Sequence, residues 1–141
     1  MSILDHHDPK KHIGWNLEAR EDEHGLFVCG QLNLEVQLAR ERLSLMKQAS
    51  QVGGRTGLSI GFRSIKEIPD QQRPEIRHLQ ELQLIEYSLV IFPMNTEAGV
   101  THIKRGIDDD PTACGCSIPM ANETLIVNTL TQMIHEMQTS N

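Results

Sequence analysis

Residues 79–93 form the most hydrophobic stretch of the chain and constrain its fold most strongly. If this stretch is extended, apolar residues fall on both of its faces and Pro93 ends it, which predicts a buried β-strand. Glu86 lies in the middle of that strand. Because an unpaired charge in an apolar interior is costly, Glu86 must have a partner. Two partners are open: Arg63, in a structural ion pair, or a histidine that the carboxylate orients.

A second extended segment, Thr56–Ser64, carries a candidate nucleophile. Side chains on a strand alternate between its two faces. Three apolar side chains then share a core face: Leu58, Ile60 and Phe62. Ser59, Gly61 and Arg63 share the opposite face, where glycine leaves room for a peptide backbone beside the hydroxyl. The simpler interpretation of so short a pattern is a serine that faces solvent on an edge strand.

The start of the chain is rich in histidine. His6 and His7 precede Asp8-Pro9, which predicts a turn because proline disfavours helix at the residue before it. A histidine held just before a turn can reach a neighbouring strand. The alternatives are a solvated histidine, or a metal site made by His6, His7 and His12.

The other segments predict a small mixed fold. Polar residues 21–25 join two strand-like pieces, a helix is predicted over 36–51 before Gly53-Gly54, and residues 99–104 fit a closing strand. Residues 65–78 predict a mobile hairpin tip. An apolar stripe over 122–138 predicts a further helix.

Composition excludes several function classes. A chain of 141 residues with a net charge of −6 has no basic stripe to neutralise phosphates, which argues against a nucleic-acid partner. No apolar run approaches the roughly 20 residues that span a bilayer, and the N-terminus resembles no secretory signal. The three cysteines, Cys29, Cys114 and Cys116, form no disulfide framework, which fits a reducing cytosol. We expect no metal and no cofactor.

Four motifs, taken in order, resemble the prohead (capsid maturation) protease family of tailed bacteriophages. They are His7-Asp8-Pro9 with Ile13-Gly14, Gly25–Gly30 leading to Leu32, Leu58–Arg63, and Leu84–Val90 ending in Phe92–Asn95. The likeness spans roughly residues 4–104, and the family is similar in fold and chemistry to the herpesvirus assemblin proteases. It implies an α+β fold with a mainly antiparallel, barrel-like β-sheet and flanking helices.

The resemblance also implies roles for individual residues. By position, Ser59 matches the family's serine nucleophile, His7 its general base and Glu86 its acidic third member, while His6 competes with His7. Neutral imidazole, with an ordinary pKa of about 6.5, suits a base that activates serine near neutral pH. Arg63 and Gly61 are candidates for the oxyanion and substrate site, with backbone amides near Ser59 as the alternative donors.

The implied protein is a serine endopeptidase that cleaves scaffold and capsid proteins, and itself, during head assembly. We expect it to act as a homo-oligomer in the bacterial host cytoplasm, inside the prohead or encoded by a prophage. Two alternatives are a non-catalytic assembly module that keeps the fold, and a small metal-binding regulator that uses the N-terminal histidines with Cys114 and Cys116.

The resemblance also bears on domain organisation. We expect a protease-like domain over 1–106, a linker over 107–121 and a C-terminal helix within 122–141. Family members usually have substantial chain before the His-Asp-Pro motif, including the opening strands of the barrel. Six residues precede His7 here. We therefore expect a truncated protein, a partner that supplies the missing strands, or a relic that retains the protease fold, and truncation would leave sheet edges open.

Overall fold

The computed structural model describes residues 1–23, 25–73 and 76–104, together with the backbone of 125–131. The elements in chain order are β1 (Ser2–Asp5), β2 (Asp8–Asp22), β3 (Gly25–Leu32), α1 (Gln37–Gln51), β4 (Gly57–Pro69), β5 (Arg77–Val90), β6 (Gly99–Ile103) and β7 (Leu125–Thr131). The protein is therefore mostly β, with one helix in the part of the chain that the structure describes.

The strands form one curled sheet in the order β1-β2-β3-β7-β6-β4-β5. The sheet closes where β1 pairs with β5 in parallel, whereas the other neighbours are antiparallel. Its shortest strand pairing lies between β4 and β6, which share only the pair Gly57–Gly99. The predicted mainly antiparallel, barrel-like sheet is confirmed.

The first strand lies inside the sheet. β1 pairs with β2 on one side and with β5 on the other. The open edge that we expected at the N-terminus is therefore not found at β1, because both of its sides carry backbone hydrogen bonds. The residues just before His7 thus help to close the barrel.

The apolar core explains why α1 and β4 form where the sequence predicts them. The core contains Leu58 and Ile60 from β4, and Phe62 packs against it, so the predicted core face is confirmed. The inner face of α1 contributes Ala39, Leu43 and Met46. Gly53 follows the helix with a φ of +73°, a conformation that glycine adopts at little cost.

The long hairpin of β4 and β5 includes most of residues 65–78, where the sequence predicts a mobile hairpin tip. The ladder continues as far as the pair Pro69–Arg77, so the two paired strands extend well into this segment. The polar composition of this segment is that of an exposed ribbon, and cross-strand hydrogen bonds keep it extended. The predicted hairpin is confirmed, and its mobility stays a prediction.

Leu125–Thr131 forms strand β7, where the sequence predicts a helix. β7 pairs antiparallel with β3 on one side and β6 on the other. Four of its seven residues are β-branched, which favours extended backbone, and the edges of β3 and β6 require a partner for their hydrogen-bonding groups. The helix prediction is wrong for this segment. The linker over 107–121 and the remainder of 122–141 lie outside the described residues, and the boundary at 106 stays a prediction.

Two further observations bear on the composition argument. Cys29 is disulfide-bonded and fully buried, so the expectation of cysteines without a disulfide is wrong for this residue. An odd number of cysteines excludes complete pairing, but three cysteines can still form one disulfide bond. The expectation overlooked this possibility. Among the described residues, no helix has both the length and the apolar character needed to cross a membrane.

The connection between β4 and β5 should respond to acid through Asp70. Its carboxylate accepts hydrogen bonds from His78 and from the backbone N–H groups of Gln72 and Arg73, which lower its pKa from 3.8 to about 2. The stabilisation is thus present above pH 3.8 and is lost as the pH falls through about 2.

We expect an NMR titration to show the Asp70 carboxyl and the amide signals of Gln72 and Arg73 changing together well below pH 3.8. Asp70→Asn should remove this titration. A carboxyl that titrates at its ordinary value would contradict the described turn.

Candidate active site

The turn between β1 and β2 consists of His6 and His7. Both have positive φ, 52° and 60°, as the two central residues of a type I′ hairpin turn do. Asp8 and Pro9 begin β2, so the turn lies two residues earlier than predicted. Glycine and asparagine are the usual residues at such positions, and backbone strain of this kind concentrates at functional sites. The N–H of His6 donates to the carbonyl of Leu89 at 3.1 Å, which ties the turn to β5.

His7 is the partner of Glu86. Its Nδ1 lies 2.6 Å from Glu86 Oε1, and the two side chains are 43% and 11% exposed. Of the two partners left open by the sequence, the structure therefore has the histidine and not Arg63. A carboxylate at Nδ1 favours the tautomer with its proton on that atom and leaves Nε2 as the ring acceptor.

Ser88 connects the same two residues a second time. Its hydroxyl donates to Glu86 Oε2 at 2.7 Å and accepts the backbone N–H of His7 at 3.0 Å. Ser88 is completely buried. The sequence analysis missed this residue, although the spacing of two between Glu86 and Ser88 places both on one face of a strand.

The register of β4 against β5 brings Ser59 to this cluster. Ser59 is paired with Ser88, and Gly61 with Glu86. Directly opposed residues project from the same face, with Cβ atoms about 4.5–5.5 Å apart. Ser59 therefore shares a face with Ser88 and Glu86, and that face is opposite to the one that enters the core. Among the described residues no hydrogen bond joins Ser59 to His7, and such bonds in enzymes often tighten only when substrate binds.

The three predicted triad residues thus converge from three separate parts of the chain. His7 lies in the first hairpin turn, Ser59 on β4 and Glu86 on β5. This arrangement offers a hydroxyl, an imidazole and a buried carboxylate on one side of the sheet, as covalent catalysis by serine requires. Their catalytic roles stay a prediction.

Gly61 has a different neighbour from the one expected. A Cβ atom at this position would collide with the carboxylate of Glu86, so the missing side chain makes room for that group. Arg63 is exposed and lies opposite Gln83, further along the hairpin. Contacts of Gly61 and Arg63 with an oxyanion or substrate stay predictions.

His6, the competing base, binds another carboxylate. Its Nδ1 lies 3.0 Å from Asp5 Oδ1, and Arg42 of α1 approaches the same oxygen at 2.7 Å. Asp5 is 1% exposed; burial raises the pKa of its carboxyl, but Arg42 and His6 outweigh burial and the pKa is lowered. His6 thus belongs to a network that fastens the turn to the helix, and His7 is the histidine joined to Glu86.

The suggested metal site finds no support in the described part of the chain. His12 packs edge-on against Trp15, with ring centroids 4.5 Å apart. Within residues 1–104, apart from the gaps at 24 and 74–75, no three histidine, cysteine or acidic side chains are grouped as metal ligands. Cys114 and Cys116 lie outside the described residues.

The described site thus combines a histidine–carboxylate pair with a strand serine on the same sheet face. The family model of the caudovirus prohead serine protease matches residues 1–112. The chain belongs to this family, as its four motifs predicted. Searches of curated proteins and of solved structures find no match. The likeness to the herpesvirus assemblins stays a prediction.

The salt bridge between Asp5 and Arg42 should be essential for holding the turn. Arg42→Met removes the cation and leaves the buried Asp5 carboxylate with only His6. Loss of one partner of a buried ion pair typically costs about 3–5 kcal/mol, and we expect the low end because Arg42 is 26% exposed.

Urea denaturation measures this change in the free energy of unfolding. Lys47→Met is the matched control, since Lys47 lies on the same helix and has no ion pair within the described residues. It should change stability by less than about 0.5 kcal/mol. Equal effects of the two substitutions would show that the Asp5–Arg42 contact contributes nothing.

Proposed function

We propose that this chain is the serine endopeptidase of phage head maturation, with Ser59 as nucleophile, His7 as general base and Glu86 as the acid that orients His7. The observation that carries the proposal is the 2.6 Å contact between His7 Nδ1 and Glu86 Oε1, on the sheet face that also holds Ser59. Membership of the prohead serine protease family supports the reaction class.

The geometry supports a two-step acyl transfer. His7 Nε2 takes the proton of the Ser59 hydroxyl as Oγ attacks the scissile carbonyl carbon, and Glu86 stabilises the imidazolium that forms. His7 then gives this proton to the nitrogen of the leaving peptide as the C–N bond breaks. Water, deprotonated by His7, hydrolyses the acyl-enzyme and restores Ser59.

The developing oxyanion requires hydrogen-bond donors, each worth about 2.7–4 kcal/mol in well-studied proteases. Arg63 and the backbone near Gly61 follow Ser59 on β4 and are our candidates. Arg63 is exposed, so a bound peptide would have to bring it into contact with the tetrahedral intermediate. Arg63→Ala with unchanged turnover would leave the backbone amides as the donors.

Capsid and scaffold proteins are the proposed substrates, together with the chain itself. We propose that this activity occurs inside the prohead in the host cytoplasm, which membership of the family supports. Homo-oligomerisation is part of the same proposal. The exposed apolar residues Ile91, Phe92 and Met94, which follow β5, offer a surface for such contacts.

One observation favours the alternative of a non-catalytic assembly module. Ser59 is only 9% exposed, and a nucleophile must be accessible to its substrate. In that case the family fold would serve as a binding module, and the His7–Glu86 pair would be a structural tie between the first hairpin and β5.

A serine-directed phosphonate distinguishes these two functions. We expect mass spectrometry to find one phosphonyl group, on Ser59, and the purified protein to cleave a capsid–scaffold extract. Ser59→Ala should abolish both. Ser64→Ala is the matched control, since Ser64 lies on the same strand and should leave labelling unchanged. A protein that is neither labelled nor able to cleave would support the assembly module.

The two neighbouring histidines provide a second test. His7→Ala should lower the labelling rate of Ser59 by about 10³-fold or more, because the general base is lost. His6→Ala should have a far smaller effect, since His6 binds Asp5 instead of Glu86. The reverse order would identify His6 as the base.

A further inference from the structure

We propose that Ser88 is a positioning residue, which fixes the Glu86 carboxylate and the His7 ring in the orientation that the reaction requires. This inference rests on the proposed function and adds a fourth residue to its machinery.

The hydrogen bonds around Ser88 form a closed ring. The Ser88 hydroxyl donates to Glu86 Oε2 at 2.7 Å, Glu86 Oε1 lies 2.6 Å from His7 Nδ1, and the backbone N–H of His7 donates back to Ser88 Oγ at 3.0 Å. A hydroxyl is the smallest group that can both donate and accept in this way. By occupying Oε2, it leaves Oε1 aimed at the imidazole.

The backbone beneath Ser88 is held on both sides. Ser88 pairs with Ser59 on β4 and with Leu4 on β1, so its Cα position is fixed by two ladders. It is completely buried, so loss of its hydroxyl would leave Glu86 Oε2 and the His7 N–H without this partner. The Glu86 side chain therefore has a rigid reference point.

The hydrogen bond from the His7 N–H to Ser88 Oγ stabilises the strained backbone of the turn between β1 and β2. His7 has a φ of +60°, which is uncommon for a residue other than glycine. The hydroxyl of Ser88 satisfies its N–H in this conformation. Without that acceptor, the turn can relax and carry the ring away from Glu86.

A positioning role predicts a loss in turnover with little loss of binding. Misplacement of a catalytic group by about 1 Å can cost about 10²-fold. We expect Ser88→Ala to lower kcat by about 10- to 100-fold and to change KM by less than about threefold. Ser88→Thr keeps the hydroxyl and should restore most of kcat. Ser64→Ala, a serine of the neighbouring strand, should leave kcat unchanged.

The His7 Nδ1–H proton gives a readout that does not depend on activity. A proton in so short a contact with a carboxylate resonates far downfield, and His7→Ala identifies the signal by its loss. In the full-length ¹⁵N-labelled protein, Ser88→Ala should shift or broaden this signal, while Ser88→Thr and Ser64→Ala should keep it. If Ser88→Ala does not fold, Ser88→Cys provides the same test, because its thiol is only a weak donor.

The outcomes separate the two proposals. A changed proton signal in a protein that never cleaves peptides would support positioning by Ser88 and reject the proposed peptidase. An unchanged signal and unchanged kcat in a folded Ser88→Ala variant would overturn the role of Ser88 and leave the peptidase standing. A fall in kcat with an unchanged signal would also overturn positioning through His7.

Discussion

The burial of the Glu86 carboxylate in the middle of β5 is the constraint on which the site depends. A charge in that position needs donors, and the structure supplies them from His7 and Ser88. Gly61 leaves the space, since any side chain there would meet the carboxylate. β5, the turn of His6 and His7, and Gly61 therefore together accommodate one buried carboxylate, that of Glu86.

The parallel pairing of β1 with β5 brings the first hairpin close to the Glu86 carboxylate. It carries the His6–His7 turn to Glu86, although His7 and Glu86 are 79 residues apart in the chain. The network of Asp5 and Arg42 then ties the other side of the turn to α1. The two adjacent histidines therefore have different partners: His6 contacts Asp5, which Arg42 of α1 also binds, and His7 contacts Glu86.

Local patterns predicted much of the fold, because they follow from side chains that each element must bury. Leu58 and Ile60 marked the inner face of β4, and the apolar spacing along α1 marked its buried side. The helix prediction failed at Leu125–Thr131 because the edges of β3 and β6, with which this segment pairs, lie far away in sequence. The same limit applies to the β4–β5 ribbon, because composition alone did not indicate how far its two strands pair.

Within the site, local patterns left Glu86 with two possible partners, Arg63 or a histidine, and only the family resemblance pointed to His7. The sequence alone does not show whether Arg63 or His7 lies closer to Glu86, because that depends on the strand register. Ser88 was missed because its spacing of two from Glu86 shows only that the two share a face, whereas the hydrogen bonds that join Ser88 to Glu86 and His7 are known only from the fold. Gly61 was assigned to substrate for the same reason, whereas the fold shows Glu86 beside it.

The crystal structure of the protein after reaction with a peptidyl phosphonate is the most direct test of the central claim. The account predicts a bond from phosphorus to Ser59 Oγ, with His7 Nε2 within hydrogen-bond distance of the adduct and Nδ1 still on Glu86. An adduct on another residue, or a His7 ring turned away from Ser59 while it remains bound to Glu86, would contradict it.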